Sequence, residues 1–493
     1  MSSTKIPAPP AIFRGSAAAR PFIAAVLIAI LAVLAAPALR AQAQAPASSD
    51  GAAAAAPSEG AQAAPADSSA SPPAGGEAAP SEAAAPGEAA APGGEAAAPA
   101  LTPEQQAWLK ACVSGTLEEV KSLLDAGADP KMVVENGVTV LMRAAGHNPD
   151  PRIIKALLDA GADINALETN FGLDALMFAA SYNPEPAIIK ELIAAGAVPD
   201  HQNFFAGTAL HQAATNNPNP LVAAALVEAG ADIEATDSQG ATPLMAAAVT
   251  GTVPTVRKLL ELGADHTKTN VQGETAMIMA AREASNPDII RVLAAAGADI
   301  NFHNPQGETP LFASTYNPNP EIFVALVDLG ADAKERDASG ASILFTAAFS
   351  TKNVEILRRL LMMGLDPNEA NPEGVTPLMA AAANPNPEVI RYLLIEGADP
   401  NARNQAGYTP LILASVYNQN PLVIKALLGA GADPKIKDES GRDAMTWAVQ
   451  NANPAMAKTL SAIAKIPIPP APPAPPAPQG AGQSPPAAPP QSQ

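Results

Sequence analysis

The sequence predicts an all-α repeat solenoid of about eleven helix pairs, and two recurring segments lead to this fold class. A Gly-Ala-Asp tripeptide or a close variant recurs at intervals of 33 to 35 residues, with its glycine at 127, 161, 196, 230, 263, 297, 330, 364, 397 and 431. A Gly-x-Thr-Pro-Leu segment follows in several of these periods and begins at 240, 307, 374 and 407. A fixed period of this length indicates a stack of one repeated supersecondary unit.

The Gly-Ala-Asp segment is expected to end a helix. Leucine stands four residues before every one of these glycines, and apolar residues such as Val389 and Leu393 recur at helical spacing. The glycine suits the left-handed backbone that follows many helices, because it has no Cβ. The aspartate suits a turn, where its carboxylate accepts hydrogen bonds from nearby amides.

The next helix is expected to begin at the Thr of Gly-x-Thr-Pro-Leu. Every period has a residue type there that caps helix N-termini through a side-chain oxygen. These residues are Thr139, Asp174, Thr208, Thr242, Thr275, Thr309, Ser342, Thr376, Thr409 and Asp443. A short Ala-rich helix follows, then a tight turn and a longer helix. One such pair cannot bury its apolar faces alone, so stacked pairs must share a continuous core.

These segments together resemble the ankyrin repeat, and the resemblance covers residues 101–465. It implies antiparallel helix pairs joined by projecting hairpin fingers, with partners bound at the finger tips and on the concave face of the short helices. Two features depart from the family pattern. The histidine that usually follows Thr-Pro-Leu is present only as His211, and many turns between the two helices read Asn-Pro-x-Pro. Proline should stiffen these turns without changing the fold.

The first helix should begin at Thr102, where Thr102 and Gln105 form a capping-box pattern. The only cysteine, Cys112, lies close to Trp108 on this helix and is expected to be a buried residue of the first pair. A single cysteine cannot form an internal disulfide, so it does not indicate the redox compartment.

Both flanks of the array have compositions that oppose folding. Residues 46–100 are almost entirely Ala, Pro, Gly, Ser, Glu and Asp, which predicts a disordered linker. Residues 466–493 form a proline-rich tail without charge, also expected to be disordered, and its segment 466–478 favours extended polyproline II. The tail is compatible with a groove-binding ligand or with a solvated spacer.

Residues 1–45 have the layout of a secretory signal peptide. Lys5, Arg14 and Arg20 precede the apolar run 22–36, and small residues follow, so cleavage is expected after Ala43 or Ala45. The predicted location is periplasmic or secreted, in a bacterium. The alternative is an uncleaved anchor that holds the protein at the inner membrane, facing the periplasm.

Charge and motifs narrow the function classes. The net charge is −19, which opposes nucleic-acid binding and permits a basic protein partner. The sequence contains no Walker-type loop, nucleophile elbow or zinc-protease motif. Its five histidines are not at metal-ligand spacing, and His201 and His266 are expected to be exposed structural residues. We therefore expect no catalytic residues, no metal site and no cofactor.

Aromatic residues at outward-facing places are the candidate partner-binding residues. One set lies just before the Asn of the turn between the two helices, and the other lies at finger tips. The first set is His147, Tyr182, Tyr316 and Tyr417, and the second is Phe171, Phe204 and Phe205. Such rings supply contact area at a small cost in rotamer entropy. The alternative is that they pack on the prolines of adjacent turns.

The combined prediction is an exported, non-enzymatic scaffold or modulator that binds another protein through its repeat surface. The array itself is expected to be monomeric. One alternative is an envelope-tethered structural spacer with an uncleaved N-terminal anchor, and another is a secreted effector that acts on host proteins. The sequence does not identify the partner.

Overall fold

The computed structural model describes residues 101–469, apart from residues 352 and 452. The signal segment with Ala43 and Ala45, the linker 46–100 and the tail beyond 469 lie outside the described residues. The described part contains 22 helices arranged as eleven consecutive pairs, so the predicted helical repeat solenoid is confirmed.

In each pair a tight turn joins a first helix, which we call the short helix, to a second helix. Pairs 1 to 4 are α1 (Pro103–Ser114) with α2 (Leu117–Asp125), α3 (Val140–His147) with α4 (Pro151–Asp159), α5 (Ala175–Tyr182) with α6 (Pro186–Ala194), and α7 (Ala209–Asn216) with α8 (Pro220–Glu228). Pairs 5 to 8 are α9 (Pro243–Thr250) with α10 (Val253–Glu261), α11 (Ala276–Glu283) with α12 (Asp288–Ala295), α13 (Pro310–Ser314) with α14 (Pro320–Asp328), and α15 (Ile343–Ser350) with α16 (Val354–Met362). Pairs 9 to 11 are α17 (Pro377–Ala381) with α18 (Pro387–Ile395), α19 (Pro410–Tyr417) with α20 (Pro421–Gly429), and α21 (Ala444–Gln450) with α22 (Pro454–Ala464).

The connections between pairs are fingers of turn structure. The first finger forms a short antiparallel hairpin, β1 (Val133–Glu135) with β2 (Val138–Thr139). In the other described fingers the pairing is reduced to turns and one isolated bridge, between Arg336 and Ser342.

The core lies between the helices of successive pairs. The leucine four residues before each repeat glycine is fully buried in nine repeats, from Leu157 to Leu427. Its counterpart in pair 1, Leu123, is only half-buried, because no earlier pair packs against that end of the array. Each pair therefore completes the core of its neighbours, as the sequence pattern predicts.

The helix boundaries follow the predicted chemistry. All ten repeat glycines have φ between 86° and 102°, in the region that favours glycine. Every predicted capping residue from Thr139 to Asp443 stands at a helix N-cap. Asp174, for example, accepts from the amide of Met177 over 2.8 Å.

Asparagine side chains tie the turn of one pair to the turn of the pair before it. The Nδ2 of Asn183 donates to the carbonyls of Ala145 and Asn148, each over 2.8 Å. The equivalent amides are those of Asn148, Asn183, Asn217, Asn317, Asn384, Asn418 and Asn453. We call this series the turn ladder. Since the accepting carbonyls lie at the C-terminal ends of short helices, the ladder satisfies groups that would otherwise lack partners.

In two repeats, the segment between the N-cap of the short helix and the asparagine of the turn ladder is one residue shorter than in most others. In pair 7 the last turn of the short helix tightens, with Tyr316 N donating to Ala313 O and Asn317 N to Ser314 O. Pair 9 does the same, with Asn384 N donating to Ala381 O. These bonds span three residues, as in a 3₁₀ turn, which shortens the helix while keeping its asparagine in place.

Finger tips form a second ladder from backbone groups alone. Phe204 N donates to Phe171 O over 2.9 Å, and the same bond recurs between neighbouring fingers. The donors of this finger ladder are Thr169, Phe204, Ser238, Val271, Ala338, Gln405 and Glu439. Pro305 and Pro372 occupy two donor positions and interrupt the ladder, because proline has no amide hydrogen.

The two ladders complement each other along the array. Gly251, Ala284 and Thr351 stand where the turn ladder would need asparagine, and the finger bond is present at each of those three interfaces. At Pro305 and Pro372, where the finger bond is missing, Asn317 and Asn384 supply the turn bond. Every interface between consecutive described pairs therefore keeps at least one of the two bonds.

Candidate functional site

His147 and Tyr182 form a stacked pair of rings on the exposed side of the short helices. They are the last residues of α3 and α5, and their ring centroids are 6.0 Å apart with an interplanar angle of 17°. Tyr182 is 41% exposed. The rings meet because the two residues hold the same position in consecutive repeats.

Contacts with neighbouring residues of α5 and α3 hold the two rings in place. The ring of Phe178, buried one helical turn earlier on α5, lies 6.0 Å from Tyr182. The Nδ1 of His147 donates to the carbonyl of Arg143 over 3.1 Å. Burial also raises the pKa of Tyr182 above its usual value, so its hydroxyl stays protonated. Both rings are therefore ordered before any partner arrives.

Amide side chains continue this surface into pair 4. The Oε1 of Gln212 accepts from Ser181 Oγ over 3.2 Å and from Asn216 Nδ2 over 3.3 Å. Because the oxygen of this amide accepts both bonds, its nitrogen Nε2 is the group of Gln212 that can donate. We call the surface of His147, Tyr182, Gln212 and Asn216 the short-helix surface.

This surface carries no net charge. Arg143, the cation beside the stack, is paired with Glu135 of β1 over 2.7 Å. The remaining members are aromatic or amide side chains. The short helices of several other pairs, such as α9, α15 and α19, also contain no charged residue, although the net charge of the protein is −19.

The finger-tip phenylalanines form a separate cluster on the same part of the array. The rings of Phe171 and Phe205 are 6.2 Å apart, and both residues are half-buried. Phe204 is 63% exposed, and its ring covers Gly172 of the preceding finger, where an added Cβ would lie 2.6 Å from it. Five of the seven predicted candidates thus lie in pairs 2 to 4 and their fingers.

Tyr417 and Tyr316 lie in later pairs and differ from Tyr182. Both are half-buried, and burial raises the pKa of each hydroxyl to about 12. Tyr417 ends α19, as Tyr182 ends α5. Tyr316 instead lies in the tightened turn of pair 7, so it does not share that position. The sequence placed all three before an asparagine but could not distinguish a helical last turn from a tightened one.

Sequence reasoning missed a charged cluster between pairs 6 and 7. Arg282 of α11 contacts Glu274 and Glu308 over 2.5 Å each, and the two carboxylates belong to consecutive fingers. Both carboxylates keep the pKa of Arg282 above its usual value against the opposing effect of burial. This bridge crosses the interface where Pro305 removes the finger bond, so we assign it a structural role.

The histidines expected to be exposed are half-buried instead. His201 lies 2.9 Å from Asp174, the cap of α5, because its finger folds over the preceding repeat. A cavity of about 110 Å³ lies beside this pair and is lined by Ile164, Asn165, Leu167, Asp174, Ala197, Val198 and His201. His266 is half-buried in the same way, so the expectation of exposure was wrong for both residues.

Cys112 is fully buried, as predicted, and burial raises the pKa of its thiol to about 12. Between residues 101 and 469, leaving out 352 and 452, no cluster of His, Cys, Asp and Glu has the composition of a metal site. Over the same stretch, no helix has the length and apolarity needed to cross a membrane.

The comparison with protein families agrees with this architecture. The family model described as ankyrin repeats (3 copies) matches seven overlapping segments, residues 108–203, 176–270, 210–304, 254–337, 277–371, 344–438 and 378–467. The chain belongs to the ankyrin repeat family. Among curated proteins, no match to the chain is found. Ankyrin repeat arrays are protein–protein interaction scaffolds and typically have no enzymatic activity.

His211 is where this ankyrin repeat protein keeps the histidine that the family usually has after Thr-Pro-Leu. Its Nδ1 accepts from the amide of Thr208 over 3.2 Å, and its Nε2 donates to the carbonyl of Ala241 over 3.0 Å. The ring thereby links pair 4 to the next finger. Eight other repeats have Met, Ile or Phe there, and the last repeat has Thr446. Met142 and Met177 are fully buried, so apolar packing replaces the polar bridge in such repeats, as expected.

Proposed function

We propose that this ankyrin repeat protein is exported and acts as a scaffold or modulator that binds another protein through its short-helix surface. The stacked and exposed rings of His147 and Tyr182 are the observation that carries the proposal. Their order is set by Phe178 and by the carbonyl of Arg143, so binding costs little side-chain entropy. Aromatic residues with one polar end are also enriched among the residues that dominate binding energy at interfaces.

The neutral character of the surface supports a protein partner rather than a polyanion. Phosphate binding requires a cluster of free cations, whereas Arg143 is already paired with Glu135. A partner that places apolar and hydrogen-bonding groups against the rings and Gln212 satisfies the chemistry that the surface offers. The strong negative charge elsewhere keeps the long array soluble.

Site-specific photo-crosslinking in the native cell tests the binding surface. A crosslinking residue at Asn216 leaves both rings intact and should form an adduct with a second protein. The matched control is a crosslinker at Arg391, an exposed residue of the longer helix α18. The Tyr182→Ala variant should lose the adduct at 216 while its circular dichroism spectrum keeps its helical content. Equal adducts from 216 with and without Tyr182 would contradict the proposed surface.

N-terminal sequencing of the mature protein tests the proposed export. A chain that begins at Gln44 or Pro46 would establish cleavage after Ala43 or Ala45. An intact N-terminus in the membrane fraction would support the tethered spacer instead. Recovery from the culture medium rather than the periplasm would favour the secreted protein, including an effector of host proteins.

A further inference from the structure

The short-helix surface has the chemistry that binds extended proline-rich segments. A polyproline II helix has no internal hydrogen bonds, so its carbonyls require external donors, and its proline rings pack well on aromatic faces. Tyr182 and His147 supply two stacked rings. The side-chain amide of Gln212, which is bonded to Ser181, the residue before Tyr182, adds a nitrogen that can donate. The surface thus offers an amide donor and two rings, and the cation beside them, Arg143, is paired with Glu135.

The chain itself contains a segment of this chemistry. Eight of the 13 residues in 466–478 are proline, and the tail 466–493 contains no charged residue. A neutral ligand matches the neutral short-helix surface, whereas the acidic linker 46–100 would bring seven carboxylates to it. Residues 467–469 at the beginning of the tail are exposed, with Ile468 48% exposed.

The position of the short-helix surface along the array determines whether the tail of the same chain can reach it. Helix contacts in the array join each pair to its neighbours, and Tyr182 in pair 3 is eight pairs away from α22 in pair 11. At about 8–10 Å per pair, the path along the array is about 65–80 Å. The segment 466–478 spans about 40 Å when fully extended as polyproline II. It therefore cannot reach Tyr182 of its own chain.

We propose that the short-helix surface of one protomer binds the proline-rich segment 466–478 of a second copy. The contact is heterologous, because it joins one end of the array to the tail at the other end of the partner. Such contacts either close, as a ring or as a dimer whose two copies exchange tails, or add further copies as the concentration rises. The proposal rests on the proposed function only because both use the short-helix surface. The tail of a second copy would compete with another partner for that surface.

Two measurements on the purified full-length chain test this proposal. Analytical ultracentrifugation should show self-association that grows with concentration. A synthetic peptide of residues 466–478, titrated by calorimetry, should bind the chain and should also reverse the self-association. Tyr182→Ala should weaken peptide binding by about tenfold or more. Tyr392→Ala, which removes a tyrosine from the longer helix α18, is the matched control and should bind the peptide like the wild type.

The outcomes separate this proposal from the proposed function. A chain that stays monomeric at every concentration, or that does not bind the peptide, would overturn it. Equal peptide affinities of Tyr182→Ala and Tyr392→Ala would overturn it as well. None of these results affects the crosslink from position 216 to a different protein in the cell, so failure here leaves the proposed function standing.

Discussion

The side-chain amide of Asn217 donates to the backbone carbonyl of Asn183, the equivalent residue one repeat earlier, over 2.8 Å. Asn183 in turn donates to the carbonyl of Asn148. Three consecutive turns are thus joined by the same residue type, and all three side chains are buried. This arrangement fixes the relative positions of the short helices whose last residues include His147 and Tyr182.

Asn217→Ala should lower the free energy of unfolding by about 2–4 kcal/mol. The substitution leaves the buried carbonyls of Ala180 and Asn183 without the donor they have now, and each unsatisfied group costs about 1–3 kcal/mol. Chemical denaturation followed by circular dichroism measures the loss. The neighbouring Asn216→Ala is the control, because the half-buried side chain of Asn216 bonds to Gln212 of its own helix, and its loss should change stability by less than about 0.5 kcal/mol. Similar losses in both variants would show that the turn ladder does not stabilise the array.

Ala206→Gly should raise the free energy of unfolding by about 1 kcal/mol. Ala206 has φ 59°, at the finger position where the other repeats have glycine. A left-handed conformation costs an L-residue about 1–2 kcal/mol, and glycine removes most of that cost. The converse change, Gly240→Ala, should destabilise the protein, because its φ is 72° and its Cβ would lie 3.1 Å from Val271. A destabilised Ala206→Gly variant would contradict the argument.

The stability of the array should fall as the pH drops below about 6.5, in part because of His211. Burial lowers the pKa of His211 below its usual 6.5, and its Nδ1 already accepts from an amide. Below pH 6.5 the unfolded chain therefore binds a proton that the native ring does not, and the free energy of unfolding decreases. The contribution approaches about 1.4 kcal/mol per pH unit at most.

His211→Met isolates this contribution, because other repeats have methionine at the same place. Denaturation curves from pH 7.5 to 5 should show a shallower decline for the variant than for the wild type. Parallel declines would mean that carboxylates alone cause the acid sensitivity.

Leu293→Ala should cost about 2–5 kcal/mol of stability. Leu293 on α12 is fully buried between pairs, so truncation leaves a cavity in a shared part of the core. Leu221 on α8 is 53% exposed and serves as the control, since Leu221→Ala should shift the unfolding free energy by less than about 0.5 kcal/mol. A change below about 0.5 kcal/mol for Leu293→Ala would show that this leucine does not lie between helices.

Local chemistry made the fold predictable from the sequence. The repeat glycines, the caps from Thr139 to Asp443 and the leucines before each glycine act within one repeat. Their spacing therefore predicts helix boundaries without knowledge of distant contacts. Because the pattern occurs in ten copies, a single exception such as Val198, which replaces the aspartate of Gly-Ala-Asp, does not obscure it. Eleven pairs and their shared core followed from this repetition.

The sequence by itself thus determined the helix pairs, their order and the aromatic residues of each repeat. The tertiary structure alone decided which of these residues meet, because stacking brings together groups that are about 33 to 38 residues apart in the chain. Neighbouring repeats align His147 with Tyr182, whereas the tightened turn of pair 7 moves Tyr316 out of that position. The hydrogen bonds of the turn ladder also depend on stacking. From the local sequence, an asparagine next to a proline predicts only a turn residue. The asparagine side chain can tie two pairs together only where the carbonyls of the preceding short helix lie within hydrogen-bonding distance.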